Sequence, residues 1–298
     1  RLYSIATAAE WTGRGVGRRL LAAAEEQALA RDCAIMRLEV HEQNEAAISL
    51  YKSCGYRPFD REEEYYEDKG PALRFEKRLN PPLQRLRSPP PYFHQTTEFT
   101  CGPACLMMAL AWADPGVRMS PGLEFKLWRE STTIFMTSGH GGCDPYGLAV
   151  TLKQHGLEPE IHVSKRGPYF LETVRSEEKR RVMRLTQEDF RREAMRLRIP
   201  THLTPLDRKG LNDAFDQGAV AIVLVSGYHM VRRREPHWVF AFGRDGHYVL
   251  VHDPAAKMDD KGVAVAATFA APWTEFERMM RFGRDLRAAV LIRKGSLA

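Results

Sequence analysis

The chain has 298 residues, enough for one large domain or two ordinary ones, and its 44% hydrophobic and 28% charged content excludes a disordered polypeptide. A net charge of +6 reads as solubility with a weak pull toward anionic ligands, and five cysteines make a poor disulfide framework and suit a reducing cytoplasm. No apolar run approaches the ~18 residues that a membrane span requires; the longest, such as AVAIVLV at 219–225, have the length of a core strand.

Taken in chain order, LYSIAT (2–7) reads as the end of a strand. A glycine-rich turn, TGRGVGRRLL (12–21), leads into a helix over 18–32. A strand (34–40), a helix stopped by Gly55 (44–55) and a last strand (73–79) follow, and this alternation is an α/β pattern. NPPLQRLRSPPP (80–91) holds five prolines, which remove amide donors and fix the backbone, so it reads as a linker. Beyond it the order changes. Helices at 103–113 and 146–156, and a helical stretch of alternating acids and arginines at 171–197, precede strands at 219–227, 237–243, 247–253, 263–269 and 288–294. Helices first and sheet second indicate an α+β domain. The segment 158–215 matches no motif. Its arginines could meet an acidic or nucleic-acid partner, but a solvated helical face is the better reading and nucleic acid is disfavoured.

The turn at 12–21 sits between a strand and a helix. Its glycines let the backbone approach a bulky anion, the helix N-terminus offers free amides, and Arg14 and Arg18 add charge, so a phosphate cradle competes with a tight turn that holds nothing. A second motif, VHEQNEAAISLYKSCGY (40–56), supplies Asn44, Tyr51, Gly55 and Tyr56. Together the two resemble the signature motifs of the GNAT acetyltransferases, in the subgroup of ribosomal-protein-alanine acetyltransferases, over about residues 1–79. The resemblance implies acetyl-CoA as cofactor. Amides of Gly13, Arg14, Gly15, Val16, Gly17 and Arg18 would hold its pyrophosphate, Asn44 would support it, and Tyr51 would be general acid to the leaving thiolate. Thr12 stands where the family usually has Gln or Arg, and the first strands and helices of that fold do not precede it, so only the C-terminal half of the GNAT fold is expected, at the start of this chain. The simplest explanation is that Arg1 begins a fragment of a longer protein. Tyr51 can equally be read as a packed core tyrosine.

HQTTEFTCGPAC (94–105) poses the main chemical question. Pro103 fits the first turn of a helix, which places Cys101 at its N-terminus, where dipole and free amides favour a thiolate over a thiol. The residues alone leave three readings of Cys101 open: nucleophile, metal ligand and packed thiol. Cys101, Cys105, His140 and Cys143 are zinc-ligand types, and Cys101 and Cys105 lie four apart on one helix face, yet no CxxC pair exists. His237 begins an apolar strand that returns through GRDG to HYVLVHDP, so a short hairpin brings it back beside Asp253, provided the turn register puts both side chains on one face.

These residues resemble the papain-like cysteine peptidases, closest to the bacteriocin-processing peptidases that remove leader peptides at double-glycine sites. The resemblance rests on Gln95 six residues before Cys101, on CGPAC, on GGCDPYGLAVTLKQHGL (141–157) and on His237 with HDP (252–254), and it covers about 92–298. It implies Cys101 as nucleophile, His237 as base, Asp253 as orienting acid and Gln95 as oxyanion-hole donor beside the Cys101 amide, with no metal and no cofactor in this domain. The expected protein is thus bifunctional and bacterial in type. A GNAT half-domain (1–79) and a linker (80–91) precede an α+β papain-like domain (92–298) that cleaves a peptide or protein substrate through an acyl-enzyme. Transpeptidation or amide ligation by the same residues, and an inactive peptide-binding module, are the alternatives.

Overall fold

The computed structural model describes residues 1–31, 33–79, 89–133, 142–226, 236–256, 267–283 and 286–295. The chain forms two compact units, 1–82 and 83–298. Most of the expected linker, and His140, lie outside the described residues.

The first unit holds α1 (Val16–Leu29), β1 (Ile35–His41), α2 (Glu45–Ser53), β2 (Arg57–Glu62) and β3 (Ala72–Arg78). The strands form an antiparallel sheet in the order β1-β3-β2. Met36, Leu38 and Val40 alternate inward from β1, and with Leu21, Tyr51 and Phe75 they make the core. The expected strand at 2–7 does not form. Leu2 donates its amide to the Arg37 carbonyl at 2.8 Å, and the segment after it carries no ladder with β1. A cleft of about 780 Å³, lined by residues 2–7 on one side and by β1 and α2 on another, lies there. β2 carries no strand signal in its sequence. Its RPFDRE is charged, carries a proline and has a register break between Pro58 and Asp60, all features of an edge strand without alternation to reveal it.

The second unit contains α3 (Cys101–Ala113), α4 (Pro121–Ser131), α5 (Pro145–Gln154), β4 (Glu158–Val163), α6 (Glu177–Arg196), β5 (Thr201–His202), α7 (Arg208–Asp216), β6 (Val220–Ser226), β7 (Pro236–Asp245), β8 (Tyr248–His252), β9 (Thr268–Pro272), α8 (Trp273–Met279) and β10 (Ala288–Arg293). Its seven strands run β5-β4-β10-β6-β7-β8-β9, antiparallel except for the β4–β5 pair. Helices cover both faces. Trp238 and Phe240 face a core shared with α3 to α6, while Val239 and Ala241 face one built with α7 and α8. Burial on both sides explains why β6 reads as a continuous apolar run rather than an alternating one. The expected strand 263–269 falls mostly outside the described residues; β9 carries its end.

The unassigned stretch 158–215 resolves into β4, α6, β5 and α7. The arginines of α6 pair along their own helix, Arg192 with Asp189 and Arg196 with Glu193, as a solvated face requires. Helix α4 was not anticipated, although Ser120 caps it through the Leu123 amide and Pro121 occupies its first turn. Among the described residues no helix is long and apolar enough to cross a membrane.

Helix α3 is apolar on every side and is buried from Cys101 to Ala111. It packs against β6 and β7 and fixes where Cys101 sits. Truncating Met107, which is fully buried, to Ala would cost about 2–5 kcal/mol.

Candidate active site

Cys101 is the first residue of α3, at the positive end of the helix dipole. The preceding loop is held from several sides. The Thr97 amide donates to the Thr100 hydroxyl, and the Thr96 amide donates to the fully buried Glu124 carboxylate at 2.9 Å. Glu124 comes from the unanticipated α4, so sequence reading had no route to this contact.

His237 lies at the start of β7 and Asp253 one residue past β8. The His237 Nε2–H donates to Asp253 Oδ1 at 2.8 Å. Their shared face depends on an irregularity. Phe240 pairs with His252 and Ala241 with Val251, but Gly243 pairs with Leu250, so the ladder shifts by one residue at Phe242. Extending the first register puts residues 237 and 253 on the same face of the strand pair. Extending the second would put them on opposite faces. The bulge at Phe242 therefore decides the register question that the hairpin alone left open.

The site is enclosed. Cys101 is 8% exposed, His237 6% and Asp253 not at all. Burial alone would depress the His237 imidazolium, but the hydrogen bonds and charges of Asp253 and Cys101 outweigh it and raise the group to about 10. With Nε2 committed to Asp253, Nδ1 is the ring nitrogen left for Cys101. Asp253 Oδ1 also accepts the Ala255 amide at 3.0 Å, which keeps the carboxylate in place.

Gln95 comes close through the backbone: its amide donates to the Pro254 carbonyl at 2.9 Å, directly after Asp253. Its side-chain amide donates to the Thr97 carbonyl at 2.8 Å, which leaves a second N–H on the same nitrogen, and its Oε1 is buried with no partner among the described residues. His252, beside Asp253, has a different part. It accepts from the Thr268 hydroxyl at 2.7 Å and donates to the Pro90 carbonyl at 2.9 Å, and burial lowers it to about 4. It is a neutral anchor between the start of the unit and β8.

The two other cysteines of this unit are engaged. The Cys105 thiol donates to the Trp238 carbonyl, and Cys143 lies 3.3 Å from the Ser131 hydroxyl; burial pushes both thiols up. All five cysteines are free thiols.

In the first unit, Gly13, Gly15, Val16, Gly17, Arg18, Asn44 and Tyr51 all line the same cleft. Gly15 caps α1 at φ +75° with open space where a Cβ would stand, a conformation that favours glycine. At Gly17 a Cβ would meet Leu50 at 3.1 Å, so α1 and α2 pack closely there. Arg14 does not line the cleft; its guanidinium lies over the Trp11 ring, 5.2 Å from the centroid. Asn44 accepts the Ala47 amide and so caps α2. Tyr51 packs among Tyr56 and Phe75, and burial raises its phenol.

The model of the Peptidase_C39 like family matches residues 90–293, more than half of the chain. The chain belongs to this family. The acetyltransferase (GNAT) family model matches residues 1–56, so the GNAT-like part of the chain is its N-terminal unit, as a partial fold. Among solved structures, a C39-like peptidase from Bacillus anthracis is 15% identical over 69% of this chain and 94% of its own, with a TM-score of 0.41. The ribosomal-protein-S18-alanine N-acetyltransferase from Escherichia coli is 28% identical over 27% of this chain and 54% of its own, with a TM-score of 0.25. The NatC complex bound to Gag peptide and CoA is 26% identical over 26% and 48%, again at a TM-score of 0.25. The chain thus spans about half the length of the acetyltransferases that it matches. No curated protein matches it.

Proposed function

We propose that the second unit is a thiol peptidase or amidohydrolase working through an acyl-enzyme. The observation that carries this reading is the buried His237–Asp253 hydrogen bond of 2.8 Å, with Cys101 at the helix end as the imidazole's other partner. Asp253 orients the ring and stabilises its charged form. His237 takes the Cys101 proton, and the sulfur attacks the carbonyl carbon of a peptide or amide. The Cys101 amide and the spare N–H of Gln95 stabilise the oxyanion. The amine leaves with a proton from His237, and water, deprotonated by the same residue, releases the acid. A mildly basic chain with free thiols and the family's chemistry fit a peptide or protein substrate and a cytoplasmic setting. The domain division of this reading is 1–79, a linker at 80–91, and 92–298.

For the first unit the proposed cofactor is acetyl-CoA. NatC is a relative seen with CoA, and the cleft fits such a group, because left-handed Gly13 and Gly15 leave open space before the amides that start α1. When bound, it supplies an acetyl thioester for transfer to an amine. The amides of Gly13, Gly15, Val16 and Gly17, with Arg18, would hold the pyrophosphate. Asn44 keeps the start of α2 in place, and the Tyr51 phenol, kept protonated by burial, is the proton donor at its Oη.

The test is labelling with a thiol-directed electrophile. Cys101 reacts preferentially in the wild type, and the preference disappears in His237→Ala. Equal labelling of every accessible cysteine in both proteins would overturn the peptidase reading.

A further inference from the structure

Far along the sheet from His237, at the β5 edge, three metal-ligating side chains converge: Glu160, His162 and His202. The backbone alone brings them together. Glu160 and His162 are two apart on β4 and so share a face, the half-exposed one, while Pro159, Ile161 and Val163 point into the core. The parallel β4–β5 pairing sets His202 directly beside His162, and their rings lie 4.5 Å apart.

We propose that Glu160, His162 and His202 bind a divalent transition metal of the zinc class, which ties β5 to β4. Glu160 Oε2 stands 3.7 Å from His162 Nε2 and 3.9 Å from His202 Nε2. Both separations are too long for hydrogen bonds. They are within about half an ångström of the ligand-to-ligand edge of roughly 3.4 Å around tetrahedral zinc. The other carboxylate oxygen, Oε1, is taken by Arg293, which orients the group and leaves Oε2 for the ion. The Nε2 of His162 is buried with no hydrogen-bond partner among the described residues, which leaves it available to an ion. Two imidazoles and one carboxylate form an N/O set suited to zinc, with the remaining positions open to solvent on the exposed side. β5 is only two residues long, and Thr201 beside His202 lines a groove of about 650 Å³ with Leu203, Arg191 and Met195. An ion at this site would fix one wall of that groove.

The test is Zn²⁺ alone, added to the chelator-stripped full chain in competition with a chromogenic chelator. One equivalent binds, the thermal midpoint rises with zinc, and X-ray absorption reads nitrogen and oxygen donors only. His202→Ala weakens zinc binding more than about tenfold and removes the thermal response. Because His202 is exposed at an edge, the metal-free midpoint of this variant stays at the wild-type value. Glu160→Gln, which keeps the side-chain shape, weakens zinc in the same way. No uptake by wild type, equal affinity in wild type and His202→Ala, or sulfur in the coordination shell would each overturn the proposal, the last by pointing to the cysteines instead.

Discussion

The two units present chemistry in opposite ways. The second unit builds its candidate site from side chains, with Cys101, His237 and Asp253 enclosed and each in contact with a named partner. The first unit builds its cleft largely from backbone: two left-handed glycines, the first turn of α1, and a segment at 2–7 that leaves β1 after one hydrogen bond. A side-chain site depends on residue identity at a few positions. A backbone site depends on conformation, and a single Cβ can spoil it without any reactive group being lost.

The largest effect that would sharpen this contrast comes from Asp253→Asn. It keeps the shape but cannot stabilise the imidazolium, and turnover should fall about 10²- to 10⁴-fold while the fold persists. Peptide hydrolysis with circular dichroism as control measures it; activity within a few fold of wild type would break the side-chain account. A smaller effect lies in the pH dependence of stability. His237 is raised in the folded state to about 10, above its ordinary 6.5. Its stabilising contribution is therefore fully present below about 6.5 and is lost as pH rises through about 10. Urea midpoints of wild type and His237→Gln should converge across that window, and a constant gap would contradict the pairing.

The smallest effects belong to the first unit. Gly15→Ala puts a Cβ at φ +75° and should cost about 1 kcal/mol of stability while weakening acetyl-CoA binding, read by calorimetry. Arg18→Ala should weaken binding a few fold, whereas Arg14→Ala, whose side chain lies over the Trp11 ring and does not itself line the cleft, should change it less. Equal losses from both arginines would mean that the cleft works by charge rather than by backbone.

How much of this was legible in the sequence follows the same division. Cys101 drew attention by its place at a helix start and His237 with Asp253 by the hairpin, Gln95 entered only through the family resemblance, and strong apolar runs marked α3, β6 and β7. Glu124 could not, because its role depends on a helix that packs from elsewhere in the chain and donates a buried carboxylate to the Thr96 amide. β2 and the stretch 2–7 were misread for related reasons. One is a charged edge strand, and the other has strand-like residues but makes one backbone bond where a strand would make several. His252 looked like part of the same motif as Asp253, yet its hydrogen bonds to Thr268 and Pro90 make it a neutral fastening.

The bulge at Phe242 has a consequence for any relative of this chain. Side-chain facing in a hairpin is a matter of parity, so a chain that kept the pairing near the turn but lacked the bulge would keep the histidine and the aspartate in its sequence and turn them away from each other. A homologue can therefore retain both letters and still lack the pair, so the ladder register beside the histidine matters as much as the motif itself.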